Sequence, residues 1–267
     1  MSNFTDFISG GGSASYPTIF LHNSQTWVPP QDGNIMIHVI GAGGSGCSNT
    51  VTTALESGAA GGYCRKNSLA VTTSGSFTVV VGAGGASVYN AVGAGIAGGN
   101  STVAGTGLGS TLTATGGAGG ALANNTYTTA GTASNGDVNY AGGRGGYYRG
   151  GGAVGLTGTG NDGGGPGNVY NYGGDCDILG DFYSSSLGQL SGSGGGAGQY
   201  VYTSGYDGFV EAGPLAGGGS IYKVSTYSMV AGHSAIGGGG GWCQSTYTSS
   251  LRSGRGGEGC VVIQYIP

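Results

Sequence analysis

Clusters of glycine recur along almost the whole of this sequence, in runs such as GAGGSG, GGAGGA and GGGGG. Glycine supplies 67 of the 267 residues, whereas its usual share of a protein is roughly 7 %. Because a glycine inside an α-helix costs roughly 1 kcal/mol relative to alanine, we expect almost no α-helix. Only 6 residues are proline and no strict G-X-Y period is present, so a collagen triple helix is excluded.

Glycine-rich segments can still be ordered if they form an extended helix with about three residues per turn, like polyproline II. Such a helix has no internal hydrogen bonds, so its N–H and C=O groups must pair with neighbouring segments. We therefore expect a bundle of polyglycine-II-type helices that are hydrogen-bonded sideways within one chain.

Short apolar strands frame the glycine clusters. NIMIHVI has the pattern of a strand buried on both faces, and CVVIQYI forms a second apolar strand at the end of the chain. In SLAVTTSGSFTVVVG, Ser74 and Gly75 form the predicted turn between two β-branched runs, and YPTIFLH, NSTV and STLTATGG add shorter strands. The predicted fold class is all-β and irregular. Residues 1–25 are predicted to be an N-terminal attachment segment, and residues 26–267 a single glycine-rich domain.

Charge is sparse, at 7 % of the residues, with a formal net charge of −4. No basic stripe is present to neutralise phosphates, so we expect no nucleic-acid partner. No apolar segment approaches the length of a membrane span, so we expect no membrane insertion. The first residues, MSNFTDFISGGG, lack the basic and apolar regions of a secretory signal, which favours a start in the cytoplasm.

One glycine cluster has the spacing of a dinucleotide-binding loop. Gly41, Gly43 and Gly46 follow an apolar run as G-x-G-x-x-G. That site requires a following helix and an acidic residue about 20 positions further on, whereas Glu56 comes too early and the next carboxylate is Asp137. The same strand-then-glycine pattern recurs in FTVVVGAGGASV. We therefore interpret the motif as a structural junction and expect no cofactor.

Catalytic and metal-binding patterns are weak. Only His22, His38 and His233 could serve as bases, the G-x-S-x-G motif of a hydrolase is absent, and we predict no catalytic residue. Carboxylates cluster once, in GGDCDILGDF, which is a single imperfect copy of a calcium-binding repeat. A solvated acidic loop is favoured there, and a metal site is the alternative. The carboxylates concerned are Asp175, Asp177 and Asp181.

An odd number of cysteines leaves at least one thiol unpaired within the chain. Small buried thiols in tight glycine-rich packing are the favoured interpretation, with disulfides as the alternative. The five residues are Cys47, Cys64, Cys176, Cys243 and Cys260.

Tyrosine is abundant, with 17 residues, many of them beside glycine clusters in the second half of the chain. Rigid tyrosines among Gly, Ser and Asn provide contact area at low entropic cost, as recognition loops do. The alternative is that they cover a core short of aliphatic side chains. The candidate contact residues are Tyr147, Tyr148, Tyr170, Tyr172, Tyr183, Tyr200, Tyr202 and Tyr206.

A series of strand–glycine junctions follows a fixed order along the chain. TWVPPQDGNIMIHVIGAGGSG is followed by VTTSGSFTVVVGAGG, GGNSTV, LTATGGAGG and GRGGEGCVVIQY. In these motifs, which span nearly everything after residue 25, the chain resembles the glycine-rich domain of bacteriophage tail fibre and adhesin proteins. The resemblance implies layered polyglycine helices with recognition carried by loops between them, and it assigns the variable, tyrosine-bearing loops to residues 121–253.

The resemblance implies a virion protein, a tail fibre or fibre-tip adhesin, assembled in the host cytoplasm. It would bind a glycan or outer-membrane protein of the host surface without catalysis. Residues 1–25 would bind other virion proteins, and a homotrimer is expected because strand edges need to be covered. Two alternatives stay open. One is a purely structural virion component, such as a decoration or tail assembly protein, and the other is an enzyme that degrades envelope polysaccharide, which would need paired carboxylates.

Overall fold

The computed structural model describes residues 16–50, 55–89, 92–122, 127–146, 150–154, 158–160, 162–163, 201–203, 221–223, 229–230, 236–241, 243–245 and 251–267. Among these residues there are sixteen β-strands and no helix, which confirms the predicted all-β fold. In chain order the strands are β1 (Thr18–Leu21), β2 (Gln25–Trp27), β3 (Gly33–Ile40), β4 (Ser48–Asn49), β5 (Tyr63–Val71), β6 (Phe77–Val80), β7 (Ser101–Gly105), β8 (Leu112–Ala114), β9 (Ala133–Ser134), β10 (Val138–Tyr140), β11 (Val201–Thr203), β12 (Ile221–Lys223), β13 (Met229–Val230), β14 (Cys243–Ser245), β15 (Leu251–Arg252) and β16 (Cys260–Ile266).

Five strands form a first antiparallel sheet in the order β1-β16-β3-β5-β10. At its centre the two longest apolar runs of the sequence, β3 and β16, lie side by side with Ile40 opposite Cys260. The edge strand β1 pairs with β16, with Leu21 opposite Val261. YPTIFLH therefore forms a strand as predicted. Residues 18–21, although they fall within the predicted attachment segment, belong to this sheet.

A second antiparallel sheet has the order β2-β6-β7-β8-β9. The chain passes from the first sheet to the second through the predicted turn, where the Gly75 N–H donates to the Thr72 carbonyl over 2.8 Å. The flanking strands β5 and β6 do not form a hairpin with each other. β5 pairs with β3 and β10, whereas β6 pairs with β2 and β7, so the turn connects the two layers of a sandwich.

The main hydrophobic core lies between these two sheets. Its aromatic centre is formed by Trp27 and Phe77, whose ring centroids are 5.5 Å apart. Alternate residues of the strands face this core, which explains why apolar and polar residues alternate in β6. The buried members are Leu21, Trp27, Ile35, Ile37, Val39, Cys64, Leu69, Val71, Phe77, Val79, Val103, Leu112, Ala114, Val261, Ile263 and Tyr265.

Glycine-rich segments leave the sandwich and form the second part of the molecule, which we call the glycine array. The segments are 41–47, 55–62, 82–88, 92–99, 115–121, 127–132, 141–146, 150–154, 236–241 and 253–259. Backbone hydrogen bonds between different segments hold the array together. The expected sideways pairing of glycine-rich segments within one chain is therefore present.

The hydrogen bonds of segment 41–47 recur every three residues. The N–H groups of Gly41 and Gly44 both donate to segment 55–62, at 2.9 Å each. Those of Ala42 and Ser45 donate to segment 92–99 at 3.1 and 2.9 Å. Those of Gly43 and Gly46 donate to segment 253–259 at 2.8 and 3.0 Å.

The carbonyl groups of the same segment accept from three further neighbours. Gly117 and Gly120 of segment 115–121 donate to Ala42 and Ser45, at 2.9 and 2.8 Å. The N–H of Gly240 donates to Gly44 at 2.8 Å, and segment 82–88 donates to Gly43. Segment 41–47 therefore has six hydrogen-bonded neighbours. Among the described residues, β3 precedes the G-x-G-x-x-G motif, the strand β4 follows it, and no helix is present.

Glycine is required in the array because the backbones approach too closely for a side chain. A Cβ atom added at Gly43 would overlap the carbonyl group of Gly238, and one added at Gly61 would overlap that of Gly41. Because protein interiors are already close-packed, these overlaps could be relieved only by moving neighbouring backbones apart. The glycine clusters of the sequence are thus the contact positions of the array.

Candidate functional site

One end of the glycine array is continuous with the β-sandwich. Gly41 follows β3 directly and donates to Gly62, which precedes β5, at 2.9 Å. Gly62 in turn donates at 2.9 Å to Thr115, which follows β8. The strands therefore fix this end of the array, and the chain enters and leaves it there.

The other end of the array collects the connections between segments, and we call it the distal face. At this end the Glu56 N–H donates to the Ala121 carbonyl at 3.1 Å, and the Ser57 N–H donates to the Gly146 carbonyl at 3.0 Å. Glu56, Ala121 and Gly146 lie next to the connections 50–54, 122–126 and 147–149, and Gly93, close to the connection 89–91, exchanges hydrogen bonds with Ser48. The described residues at the ends of these four connections therefore lie on the distal face, which we define by Ser48, Leu55, Tyr89, Val92, Leu122, Tyr127 and Gly146.

Tyr202 is the one predicted contact residue whose backbone the structure describes. It lies in β11, which pairs in parallel with β12, with Tyr202 opposite Tyr222. β12 pairs in parallel with β14, and β14 pairs with β4, the strand that continues segment 41–47 beyond its last residue. This short parallel ladder extends from the distal face, so the backbone of Tyr202 is associated with that end of the molecule.

The remaining predicted residues lie outside the described part of the chain. They are Tyr147, Tyr148, Tyr170, Tyr172, Tyr183, Tyr200 and Tyr206, together with Cys176, His233 and the carboxylates Asp175, Asp177 and Asp181. Their predicted roles stay predictions.

Exposed apolar residues that the sequence reasoning did not select lie on the distal face. Tyr89 is 63 % exposed, Val92 53 %, Leu122 42 % and Tyr127 40 %. Each sits beside the end of a glycine segment, which is the sequence signal that would have identified it. The distal face therefore presents aromatic and aliphatic surface among connections, as recognition surfaces commonly do.

A groove of about 490 Å³ opens beside Tyr89 and is lined by Gly84, Ala86, Ser87, Tyr89, Arg252 and Arg255. Tyr89 and Arg252 form an isolated antiparallel bridge, so their side chains lie on the same side of the paired backbones. Arg255 forms an ion pair with Glu258. The Glu258 carboxylate also accepts the Gly84 N–H at 2.8 Å.

A second tyrosine and arginine pair lies elsewhere on the distal side. The Arg144 guanidinium is 4.5 Å from the centre of the Tyr127 ring. Its Nη2 donates to Asp162 Oδ2 at 2.6 Å, and the backbone N–H of Arg144 donates to Asp162 Oδ1 at 2.7 Å. This arginine is therefore already occupied by an acidic partner.

Burial holds His38 and the described cysteines in their neutral forms. His38 Nδ1 lies 2.8 Å from the Tyr63 hydroxyl, and burial, with a smaller contribution from Arg65, lowers the pKa of His38 to about 4. All four cysteines in the described part of the chain are buried, as predicted. Burial raises the pKa of each of these thiols to about 12, so they are not activated nucleophiles at neutral pH.

Two further features concern membranes and metals. The described residues contain no helix long and apolar enough to cross a membrane. Within the same part of the chain, no group of three or more His, Cys, Asp or Glu side chains is arranged to hold a metal ion.

Comparison with known proteins identifies the family of this chain. No curated protein is significantly similar to the chain. A family profile described as a glycine-rich domain matches residues 20–266, which covers both the sandwich and the glycine array. The chain therefore belongs to this glycine-rich domain family.

Proposed function

We propose that this protein is a bacteriophage virion protein, a tail fibre or fibre-tip adhesin, that binds the host bacterial surface without catalysis. The observation that carries the proposal is the clustering of segment connections on one face of a tightly hydrogen-bonded array. Binding residues are commonly found on loops that a rigid scaffold positions. The distal face combines such connections with exposed side chains, including Tyr89 and Tyr127.

The scaffold itself supports the proposal through its hydrogen-bond period. Bonds recur every three residues, and segment 41–47 has six hydrogen-bonded neighbours. Both features are expected of polyglycine-II-type helices, which have three residues per turn and no internal bonds. In this proposal the glycine array is a bundle of such helices, and it resists deformation because backbone hydrogen bonds join its neighbouring segments.

The two ends of the molecule would have different partners. β1 and β16 lie in the sandwich, away from the distal face, so an attachment segment within residues 1–25 would bind other virion proteins on the side opposite the host. A homotrimer would cover the edges of the sheets. The host ligand would be a surface glycan or an outer-membrane protein.

Binding to cells tests the proposal. Purified, fluorescently labelled protein is sedimented with a panel of intact Gram-negative and Gram-positive cells. A variant with the eight candidate tyrosines changed to serine is compared with a Tyr16→Ser control, since Tyr16 is 44 % exposed but precedes β1 in the sandwich. We expect the first variant to lose most of its binding and the control to bind like the wild type.

Three results would contradict the proposal: binding to none of the cells, binding that the eight substitutions leave unchanged, or release of reducing ends from envelope polysaccharide. Absence of cell binding together with immunogold labelling along a capsid or tail tube would favour a purely structural virion component. Release of reducing ends would favour a polysaccharide-degrading enzyme. Circular dichroism of the variants establishes that lost binding is not lost folding.

A further inference from the structure

Within the described part of the chain, the groove beside Tyr89 combines an aromatic ring, an arginine outside any ion pair and a hydroxyl without a hydrogen-bond partner. We propose that this groove binds an acidic saccharide, a sugar that carries a carboxylate or a phosphate group. The inference rests on the proposed function, because it names the ligand class that this part of the distal face would recognise. Four of its six lining residues come from two segments of the array, Arg252 comes from the adjoining strand β15, and Tyr89 directly follows segment 82–88.

The aromatic ring is exposed but its backbone is fixed. Tyr89 is 63 % exposed, and the preceding residue, Val88, exchanges hydrogen bonds with Ser253. The Val88 N–H donates to Ser253 Oγ at 2.9 Å, and the Ser253 N–H donates to the Val88 carbonyl at 3.0 Å. A fixed aromatic ring offers an apolar face to the C–H groups of a sugar at low entropic cost.

The charges of the groove leave one arginine available. Arg255 and Glu258 offset each other in an ion pair, and the second oxygen of Glu258 accepts from Gly84. Arg252 is exposed and forms no ion pair with any residue in the described part of the chain. Its planar guanidinium can bind a carboxylate or phosphate through two parallel hydrogen bonds. This positive charge stands out because the whole chain has a net charge of −4.

A hydroxyl group in the wall of the groove has no hydrogen-bond partner among the residues that the structure describes. Ser87 lines the groove, and its Oγ is buried without a hydrogen-bond partner among the described residues. An unsatisfied buried polar group costs about 1–3 kcal/mol, so such groups call for an explanation. A sugar hydroxyl in the groove would supply the missing hydrogen bond after rotation of the serine side chain.

Isothermal titration calorimetry at low salt tests the proposal with three probes: a galacturonic acid oligosaccharide, mannose 6-phosphate and the neutral maltohexaose. We expect one or both acidic probes to bind and maltohexaose to bind at least tenfold more weakly. The two acidic probes distinguish a carboxylate from a phosphate ligand. Tyr89→Ala and Arg252→Gln should each weaken acidic-probe binding at least tenfold.

Matched controls are Tyr16→Ala and Arg144→Gln, which change the same residue types outside the groove. Tyr16 is 44 % exposed but precedes β1 in the sandwich, and Arg144 is already paired with Asp162. These variants should bind the acidic probes within twofold of the wild type. Ser87→Ala should weaken binding several-fold without lowering the unfolding temperature, because it removes an unsatisfied group rather than a structural contact.

Binding of all three probes with equal affinity, binding of none, or equal losses in the test and control variants would overturn the proposal. The cell-binding experiment separates this failure from that of the adhesin function. Tyrosine-dependent cell binding without saccharide binding would overturn only the groove assignment. Saccharide binding in the groove without any cell binding would support the groove and contradict the adhesin function.

Discussion

At the scale of single residues, the glycines of the array act through the atoms they lack. Gly43 donates to Gly257 at 2.8 Å, and its own carbonyl accepts from Gly85 at 2.9 Å. A Cβ atom at this position would overlap the carbonyl group of Gly238. The close approach is made to rigid backbone, which cannot rotate away as a side chain would. A methyl group at position 43 would therefore push neighbouring segments of the array apart.

We expect Gly43→Ala to lower the free energy of unfolding by about 3 kcal/mol or more, at the upper end of overpacking substitutions. Gly158→Ala is the matched control, because a Cβ atom there would meet no heavy atom within 4 Å, and it should change stability by less than about 0.5 kcal/mol. Urea denaturation followed by circular dichroism measures both. Equal stabilities for the two variants would show that the backbones at Gly43 are not in close contact.

His38 makes the stability of the protein depend on pH. Burial and Arg65 lower its folded-state pKa from 6.5 to about 4, so protons bind the unfolded chain more readily. Above pH 6.5 His38 is neutral in both states and leaves the free energy of unfolding unchanged. As the pH falls from about 6.5 to 4, the unfolded chain takes up the proton first, so the free energy of unfolding falls by up to about 3 kcal/mol. His38→Gln should flatten the pH dependence of unfolding in this interval, whereas the exposed His22→Gln should retain it. An unchanged slope in His38→Gln would contradict the assignment.

At the scale of elements, the sequence correctly predicted the strands and the turn that depend on residues close together in the chain. The apolar runs that form β3 and β16 and the turn before Gly75 lie where alternation and turn residues placed them. The assignment of β5 and β6 to different sheets was not predictable in this way, because a turn residue specifies a reversal of the chain and not the partners of the strands that follow.

The candidate site was less predictable than the fold, for a related reason. The composition pointed to tyrosines in the second half of the chain. Tyr89 is instead distinguished by Arg252, which is distant in the sequence but lies opposite Tyr89 in the structure. Glycine does not recur at a fixed interval in the sequence of segment 41–47. Its hydrogen bonds nevertheless repeat every three residues, because six neighbouring segments surround it. Such relations depend on tertiary packing and leave no local signature.

At the scale of the whole molecule, no linker separates the sandwich from the glycine array, because strands of the sandwich run directly into segments of the array. β3 continues into segment 41–47, and segment 253–259 continues into β16. The sandwich is held by apolar burial, whereas the array is held mainly by backbone hydrogen bonds. Because the chain runs directly from one part into the other, we expect the two parts to unfold in one cooperative transition.

The buried cysteines report on this cooperativity because they sample both parts. Cys64 lies in the sandwich core. Cys47, in segment 41–47 of the array, accepts a 3.0 Å backbone hydrogen bond from Cys243 of the adjoining strand β14. Burial raises each thiol pKa to about 12, and only the thiolate is alkylated rapidly. In a Cys176→Ser background, iodoacetamide labelling at increasing urea, read out per cysteine by mass spectrometry, should give the same midpoint for all three. Labelling of Cys47 and Cys243 at lower urea than Cys64 would instead mean that the array opens while the sandwich stays folded.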